Sequence, residues 1–312
     1  MAEKLRTGVV GAGVFGAFHA AKNAHSDRVS LIGVYDLDAA KSRALADRLD
    51  VAAYSSFRDL IAEVDAVTIA SPAPTHFRLA REALEAGRHV YVEKPLALSV
   101  DEADALISLA DKSGVVLQVG HQERFVLETL GLPRADAMPL AVEFSRCAPG
   151  CGRGEDVSVV FDLMIHDLDI ARYFGFAHPR KFDACGDRHE TIATISFDHD
   201  RRCSFIASRR ANARRRLLRV IYEDGEVELD FVKRSVSDST SAAAARPQGA
   251  IERAFADPLA QSVEAFFASI LDGARTMIDG KAGRGAIEWG TAIENVRNAL
   301  ANAAKEGDRL IA

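Results

Sequence analysis

The segment Gly11-Ala12-Gly13-Val14-Phe15-Gly16 has the G-x-G-x-x-G spacing of a phosphate-cradling turn, and Asp36 follows twenty residues after Gly16. The glycine pattern alone is weak evidence. Here, however, it follows one strand-like apolar run and opens a helix, and the acid closes a second such run. In that setting Gly11 permits the tight turn and Gly13 lets the backbone approach a pyrophosphate. Gly16 lets the helix pack on the strand, and the helix start at Val14 and Phe15 presents N–H donors and partial positive charge. Asp36 is then placed to accept from the adenosine ribose hydroxyls. Its charge would repel a 2′-phosphate, and Leu37 and Asp38 supply no arginine to receive one, so NAD is expected over NADP. Asp38 itself reads as the N-cap of the next helix.

Two further groups could move a proton. Lys94, in Val92-Glu93-Lys94-Pro95, closes a strand at the edge where ligands bind in open α/β sheets. A desolvated lysine can exchange a proton with a hydroxyl while hydride leaves the same carbon, although position alone favours a solvated strand-end lysine. Asp162, His166 and Asp169 are spaced i, i+4 and i+7, which puts them on one face of a helix expected from about Val159 to Phe174. Leu163, Ile170 and Phe174 mark its packed face. Such a polar stripe suits a solvated or ion-paired surface. It suits equally a site in which His166 binds or deprotonates a hydroxyl and Asp162 orients the substrate or the imidazole. Two ligands without a further set do not make a metal site, so no metal is expected.

The elements that must carry these residues are legible as two periodicities. Strand-like runs at Thr7 to Val10, Val29 to Tyr35, Ala66 to Ala70, His89 to Val92 and Val115 to Val119, with a weaker one at Ala52 to Tyr54, alternate with amphipathic stretches. Near-continuous apolar runs suit parallel strands covered on both faces. Ser99 with Glu102 makes a capping box, and Gly87 and Gly114 stand where a left-handed residue would end a helix. Residues 1–122 are therefore expected to form an α/β domain, a doubly wound parallel sheet of Rossmann type.

After roughly residue 125 strand-like segments follow one another: Leu140 to Ser145, Ile192 to Phe197, Cys203 to Ser208, Leu217 to Tyr222 and Val227 to Phe231. They predict an α+β domain over residues 123–312 with an open, mainly antiparallel sheet. Glu223 to Glu226 reads as a hairpin turn with Gly225 in an unusual conformation, and residues 235–249 read as a long surface loop. Helices at about Pro258 to Leu271 and Gly285 to Ala304 close the chain, free to pack back on the first domain.

Composition narrows the function classes. The chain has 312 residues, 48% hydrophobic and 27% charged, with a formal net charge of -6. That is an ordinary globular balance without a global pull toward nucleic acid or anionic membranes. No apolar run reaches the roughly 20 residues needed to span a bilayer, and no signal-like segment opens the sequence, so a cytoplasmic protein is expected. Cys147, Cys151, Cys185 and Cys203 are too scattered for a disulfide framework and read as free thiols. Six arginines between Arg209 and Arg219 invite a nucleic-acid reading, but they straddle two strands and lack interleaved aromatics. One or two of them reaching a substrate diphosphate is the alternative that guanidinium geometry allows.

Taken in order, Gly11 to Gly16, Asp36, Ser71-Pro72-x-x-x-His76, Ala86 to Ala97 with Glu93-Lys94-Pro95, and Asp162-x-x-x-His166 resemble the glucose-fructose oxidoreductase, inositol dehydrogenase and MocA family. The resemblance spans nearly the whole chain and includes Asp257-Pro258-Leu259. It implies an NAD-dependent dehydrogenase acting on a CH–OH group of a sugar-type substrate. It also implies Lys94, Asp162 and His166 as the catalytic and substrate-holding trio, and Ser71, Pro72, His76, Glu93, Lys94 and Gln122 as cofactor contacts. Val119 to Phe125 and Asp156 to Asp167 are similar to the nucleotide-sugar branch, the UDP-N-acetylglucosamine 3-dehydrogenases. Those enzymes often continue Arg-Phe-Asn-Pro where this chain has Arg124-Phe125-Val126-Leu127. The open sheet of the family often forms the subunit interface, and an uncovered apolar sheet face would need a partner, so a homodimer or homotetramer is expected. An inositol or free-sugar dehydrogenase, or an NAD-binding sensor without turnover, are the alternatives. Which of Lys94 and His166 takes the proton stays open.

Overall fold

Short runs rich in Val and Ile pair as parallel strands in the first part of the chain. A computed structural model describes residues 4–150, 155–242 and 248–311, which fall into two compact units, Met1–Gln122 with Leu259–Arg284 and Glu123–Pro258 with Gly285–Ala312. In the first unit β1 (Leu5–Val10), α1 (Val14–His25), β2 (Val29–Tyr35), α2 (Ala39–Leu49), β3 (Ala52–Tyr54), α3 (Phe57–Glu63), β4 (Ala66–Ile69), α4 (His76–Glu85), β5 (His89–Glu93), α5 (Val100–Ser113) and β6 (Leu117–Gly120) alternate. The strand order is β3-β2-β1-β4-β5-β6, and every neighbouring pair is parallel. This is the expected doubly wound sheet, and its order reverses between β1 and β4.

Local chemistry sets the helix ends. The Asp38 side chain accepts from Ala40 and Lys41 N–H and starts α2, as its N-cap reading predicts. Ser99 caps α5 by accepting from Glu102 N, while the Glu102 carboxylate accepts from Leu98 N, one residue before the reciprocal partner of a standard box. Gly114 ends α5 in the left-handed region. The later residues of this unit pack on the same sheet: Val263, Phe266 and Phe267 share a core with Leu5, Val29, Ala66 and Tyr91.

The second unit holds α6 (Glu123–Thr129), β7 (Ala141–Pro149), α7 (Ile165–Tyr173), β8 (Lys181–Gly186), β9 (Glu190–Ser196), β10 (Arg202–Ser208), β11 (Arg210–Tyr222), β12 (Gly225–Asp230), β13 (Ser235–Asp238) and α8 (Gln248–Ala256). The chain then runs through α9 (Pro258–Leu271), whose Leu259 onward belongs to the first unit, to α10 (Gly280–Ile311), whose Gly285 onward belongs to the second. The sheet order is β13-β12-β11-β7-β10-β9-β8. All its pairings are antiparallel except β7 with β10. One face buries Val142, Phe144, Phe205, Leu218 and Val220, with Phe144 and Phe205 stacked at 5.2 Å. On the other, Ile192 stands directly opposite Ile206, and they are 48% and 41% exposed.

Two expectations need correction, and one strand goes beyond them. The long loop over residues 235–249 instead contains β13, paired to β12, and the start of α8; residues 243–247 lie outside the described residues. Strand β8 has no apolar signature because it is an edge strand with mostly exposed side chains. The helix expected from Val159 begins as a π-helical turn, Val160–Met164, before α7, so the face arithmetic of a uniform α-helix does not hold across it. Cys147, Cys185 and Cys203 are free thiols; Cys151 lies outside the described residues. Among the described residues no helix is long and apolar enough to cross a membrane.

Candidate active site

Parallel pairing puts the glycine turn, Asp36, Ser71, Pro72, Lys94 and Gln122 at one edge of the first sheet, the C-terminal ends of its strands, with His76 and Glu93 buried behind it. The glycine turn follows β1, Asp36 follows β2, Ser71 and Pro72 follow β4, Lys94 follows β5 and Gln122 follows β6. Gly11 has φ +95, and a Cβ there would lie 2.6 Å from the Ala70 carbonyl oxygen, so the turns after β1 and β4 touch at the point where strand order reverses. A Cβ on Gly16 would fall 1.7 Å from the Gly11 carbonyl oxygen, whereas one on Gly13 would meet nothing within 4 Å. The first excludes any side chain, and the second leaves the approach to α1 open.

That approach fits a dinucleotide. Helix α1 has no side-chain cap and no acid in its first turn, so its leading N–H groups face outward without a carboxylate competing for them. Asp36 accepts from Ala12 N at 2.6 Å and from Asp38 N at 2.8 Å. These bonds fix its carboxylate beside the turn and leave lone pairs for ribose hydroxyls. Val14, Phe15 and Phe18 are about half exposed and Leu37 is 92% exposed, an apolar rim of the kind a ligand ring covers.

Behind this edge lies a buried polar frame. His76, at the start of α4, is buried, with Nδ1 facing the Pro95 carbonyl at 2.7 Å and Nε2 facing the Ser71 carbonyl at 2.8 Å. It thereby ties the turn after β4 to the turn after β5. Burial holds its pKa below the usual histidine value, against the pull of those two carbonyls. Glu93 is buried too, with Oε1 2.7 Å from His19 Nε2 and accepting from Gln122 Nε2 at 2.6 Å. Burial raises its pKa, but the His19 hydrogen bond and the neighbouring cationic groups outweigh that and leave it low, so the carboxylate is ionised. His19 was missed by sequence reasoning. The available signal was a histidine on the same α1 face as Gly16, Ala20 and Asn23, all buried, since a histidine on a packed face needs a partner.

In the second unit Asp162 lies in the π-helical turn and His166 in the first turn of α7. Arg209 Nη2 donates to Asp162 Oδ2 at 3.0 Å, and both its terminal nitrogens donate to the Val157 carbonyl at 3.2 Å. Asp169 does not share this setting: it is fully buried and accepts from Arg124 at 2.5 and 2.6 Å. Asp167 is held by Arg146, which also grips Glu123. The polar stripe thus separates into an Arg209–Asp162 pair in the π-helical turn and buried ion pairs at Asp167 and Asp169.

Residues 5–121 match the GFO_IDH_MocA model, described as an oxidoreductase family with an NAD-binding Rossmann fold. The UDP-N-acetylglucosamine 3-dehydrogenase of Acidithiobacillus ferrooxidans is 34% identical over 293 residues, covering 90% of this chain and 93% of that protein. A solved structure of that enzyme superposes with a TM-score of 0.83 at 32% identity, covering 95% of this chain and 99% of the other. The myo-inositol 2-dehydrogenase of Thermotoga maritima is 31% identical over 189 residues, 54% of each chain. The WlbA dehydrogenase of Bordetella pertussis, solved with NADH and UDP-GlcNAcA, covers 95% or more of both chains and has a TM-score of 0.84 at 18% identity, a likeness of fold alone.

Proposed function

Because this chain belongs to the GFO_IDH_MocA family of oxidoreductases with an NAD-binding Rossmann fold, we propose that it oxidises a secondary hydroxyl of a nucleotide sugar, C3 of UDP-N-acetylglucosamine. The observation that carries this reading is the 34% identity to such an enzyme over 90% of the chain, which takes in both units rather than the cofactor fold alone.

Bound NAD would supply the hydride acceptor for the carbinol carbon. The chain's own residues do the rest. Asp36 would hold the adenosine ribose, and the α1 N-terminus would receive the pyrophosphate. Lys94 accepts the hydroxyl proton, assisted by His166, because hydride cannot leave an alcohol carbon unless that proton is also lost. Asp162, held by Arg209, orients the sugar. Ser71, Pro72, His76, Glu93 and Gln122 line or frame the cofactor edge, with His76 and Glu93 acting from behind it through their buried bonds. The reading includes a cytoplasmic homodimer or homotetramer, supported by the exposed Ile192 and Ile206 pair.

The deciding experiment supplies NAD with UDP-N-acetylglucosamine, other UDP-sugars, inositols and free sugars, follows reduced nicotinamide absorbance, and identifies the product. A 3-keto nucleotide sugar is expected. Turnover of inositols alone would replace this reading with the second one, which the 31% identity to an inositol dehydrogenase over about half the chain favours. Binding of NADH without turnover of any substrate would leave a sensor.

A further inference from the structure

Within the arginine run, three side chains are accounted for by hydrogen-bonded carboxylates: Arg209 by Asp162, Arg210 by Asp187 and Arg219 by Glu226. Arg216 is not. Its guanidinium reaches only to 3.6 Å from Glu123 Oε1, and both oxygens of that carboxylate already accept from Arg146, at 2.9 and 2.5 Å. Arg146 stands directly opposite Arg216 in the β7–β11 register, so the two share one sheet face. That face meets the helical segment through Arg146 and Asp167, and the same segment carries Asp162 and His166.

Register between β7 and β11 shifts between Arg210 and Arg215, which leaves residues 211–214, Arg214 among them, outside the paired ladder. Arg214 is close enough to bear on Arg216: burial first, then the charges of Arg146 and Arg214, hold the Arg216 pKa below the usual arginine value, with Glu123 opposing in part. Arg216 is nevertheless 43% exposed on its side chain. Among the described residues Arg146 and Arg216 face Glu123, Arg146 also holds Asp167, and Arg214 adds a further positive charge acting on the accessible Arg216. A guanidinium pressed by like charges and open to solvent is a place where an added anion relieves repulsion.

We propose that Arg214 and Arg216 bind the phosphoryl oxygens of the nucleoside diphosphate portion of the substrate, and so make the nucleotide sugar, rather than the free sugar, the preferred ligand. The proposal rests on the nucleotide-sugar reading above. Planar guanidinium groups offer paired donors that match phosphate oxygens, which a lysine would not.

The test is calorimetric titration of the NADH-loaded protein with UDP, set beside KM and kcat for UDP-N-acetylglucosamine. Arg214→Gln and Arg216→Gln should each weaken UDP binding by about tenfold, the loss expected of a charge-assisted contact, and should raise KM more than they lower kcat. Arg219→Gln removes the same charge on the opposite sheet face and should leave UDP binding unchanged. Equal losses in all three variants would reduce the effect to general electrostatics and overturn the proposal. Unchanged UDP affinity in the Arg214 and Arg216 variants, with the wild type still oxidising the UDP-sugar, would overturn it while sparing the nucleotide-sugar reading. A wild type that neither binds UDP nor oxidises a UDP-sugar removes that reading and this proposal with it. Arg214→Gln, at an exposed position outside the paired ladder, keeps the test decisive if Arg216→Gln fails to fold.

Discussion

Arg209 holds Asp162 by a 3.0 Å hydrogen bond while its other contacts anchor it to the Val157 carbonyl, so the orientation of a proposed substrate-binding carboxylate is set by a strand-end arginine. Arg209 is buried, and removing it would leave the Asp162 charge without that partner in a partly shielded site. Arg209→Met is expected to lower kcat/KM by about tenfold to a hundredfold, with Arg209→Lys recovering part of the loss. Full activity in Arg209→Met, with unchanged substrate KM, would show that Asp162 needs no such support.

Asp36 should give NAD a clear advantage over NADP, because an ionised carboxylate beside a 2′-phosphate is repulsive. Asp36→Ala should erode the preference while also loosening the turn, since Ala12 and Asp38 N–H lose their acceptor. Fluorescence titration with both reduced cofactors measures it. Comparable wild-type affinities would defeat the argument.

Lys94→Ala should abolish turnover and spare NADH binding, as Asp36 and the glycine turn remain intact. His166→Ala should impair both rate and substrate affinity. Steady-state kinetics with a parallel NADH titration separates the two, and near wild-type turnover in Lys94→Ala would remove the lysine from the chemistry.

The stability contributed by neutral His76 should be lost as pH drops below about 6.5. The His76 pKa is lowered in the folded protein from 6.5, so between the two values the unfolded chain binds the proton and the native one resists it. Glu93 extends the loss: its pKa is lowered from 4.5, and the stability that its ionised form contributes disappears as pH falls through the folded value. Urea midpoints at successive pH values should show the upper slope flattened in His76→Gln; an unchanged slope would assign the titration elsewhere.

Assembly should depend on the exposed sheet face. Ile206→Lys, opposite Ile192, should shift the protein to a smaller species in sedimentation velocity, whereas a wild type that is monomeric at all concentrations would leave that face without a subunit partner.

The cofactor edge was legible because its signals are local: a glycine turn, an acid at the next strand end, caps at Asp38 and Ser99. The frame behind it was not, since His19, Glu93 and Gln122 come from α1, β5 and the end of β6 and meet only when parallel pairing aligns those elements. The partner of Asp169 was hidden for a related reason. Its i+7 spacing from Asp162 presumes an unbroken α-helix, and its true partner, Arg124, stands forty-five residues away. The arginine run was visible as composition, but sorting it into paired and loosely held members required the register of β11 against β7.

The π-helical turn at Val160–Met164 makes this segment sensitive to length in a way no substitution reproduces. A π turn holds one residue more than the α-helical turn it replaces. Deleting a single residue there would let the segment relax into continuous α-helix and swing everything before the deletion by about 100° around the axis. A deletion after Asp162 would carry its carboxylate away from Arg209 while His166, Asp167 and Asp169 kept their places on α7. Insertion and deletion, rather than replacement, are therefore the changes by which a lineage could separate Asp162 from His166 and redirect one scaffold to a different ligand.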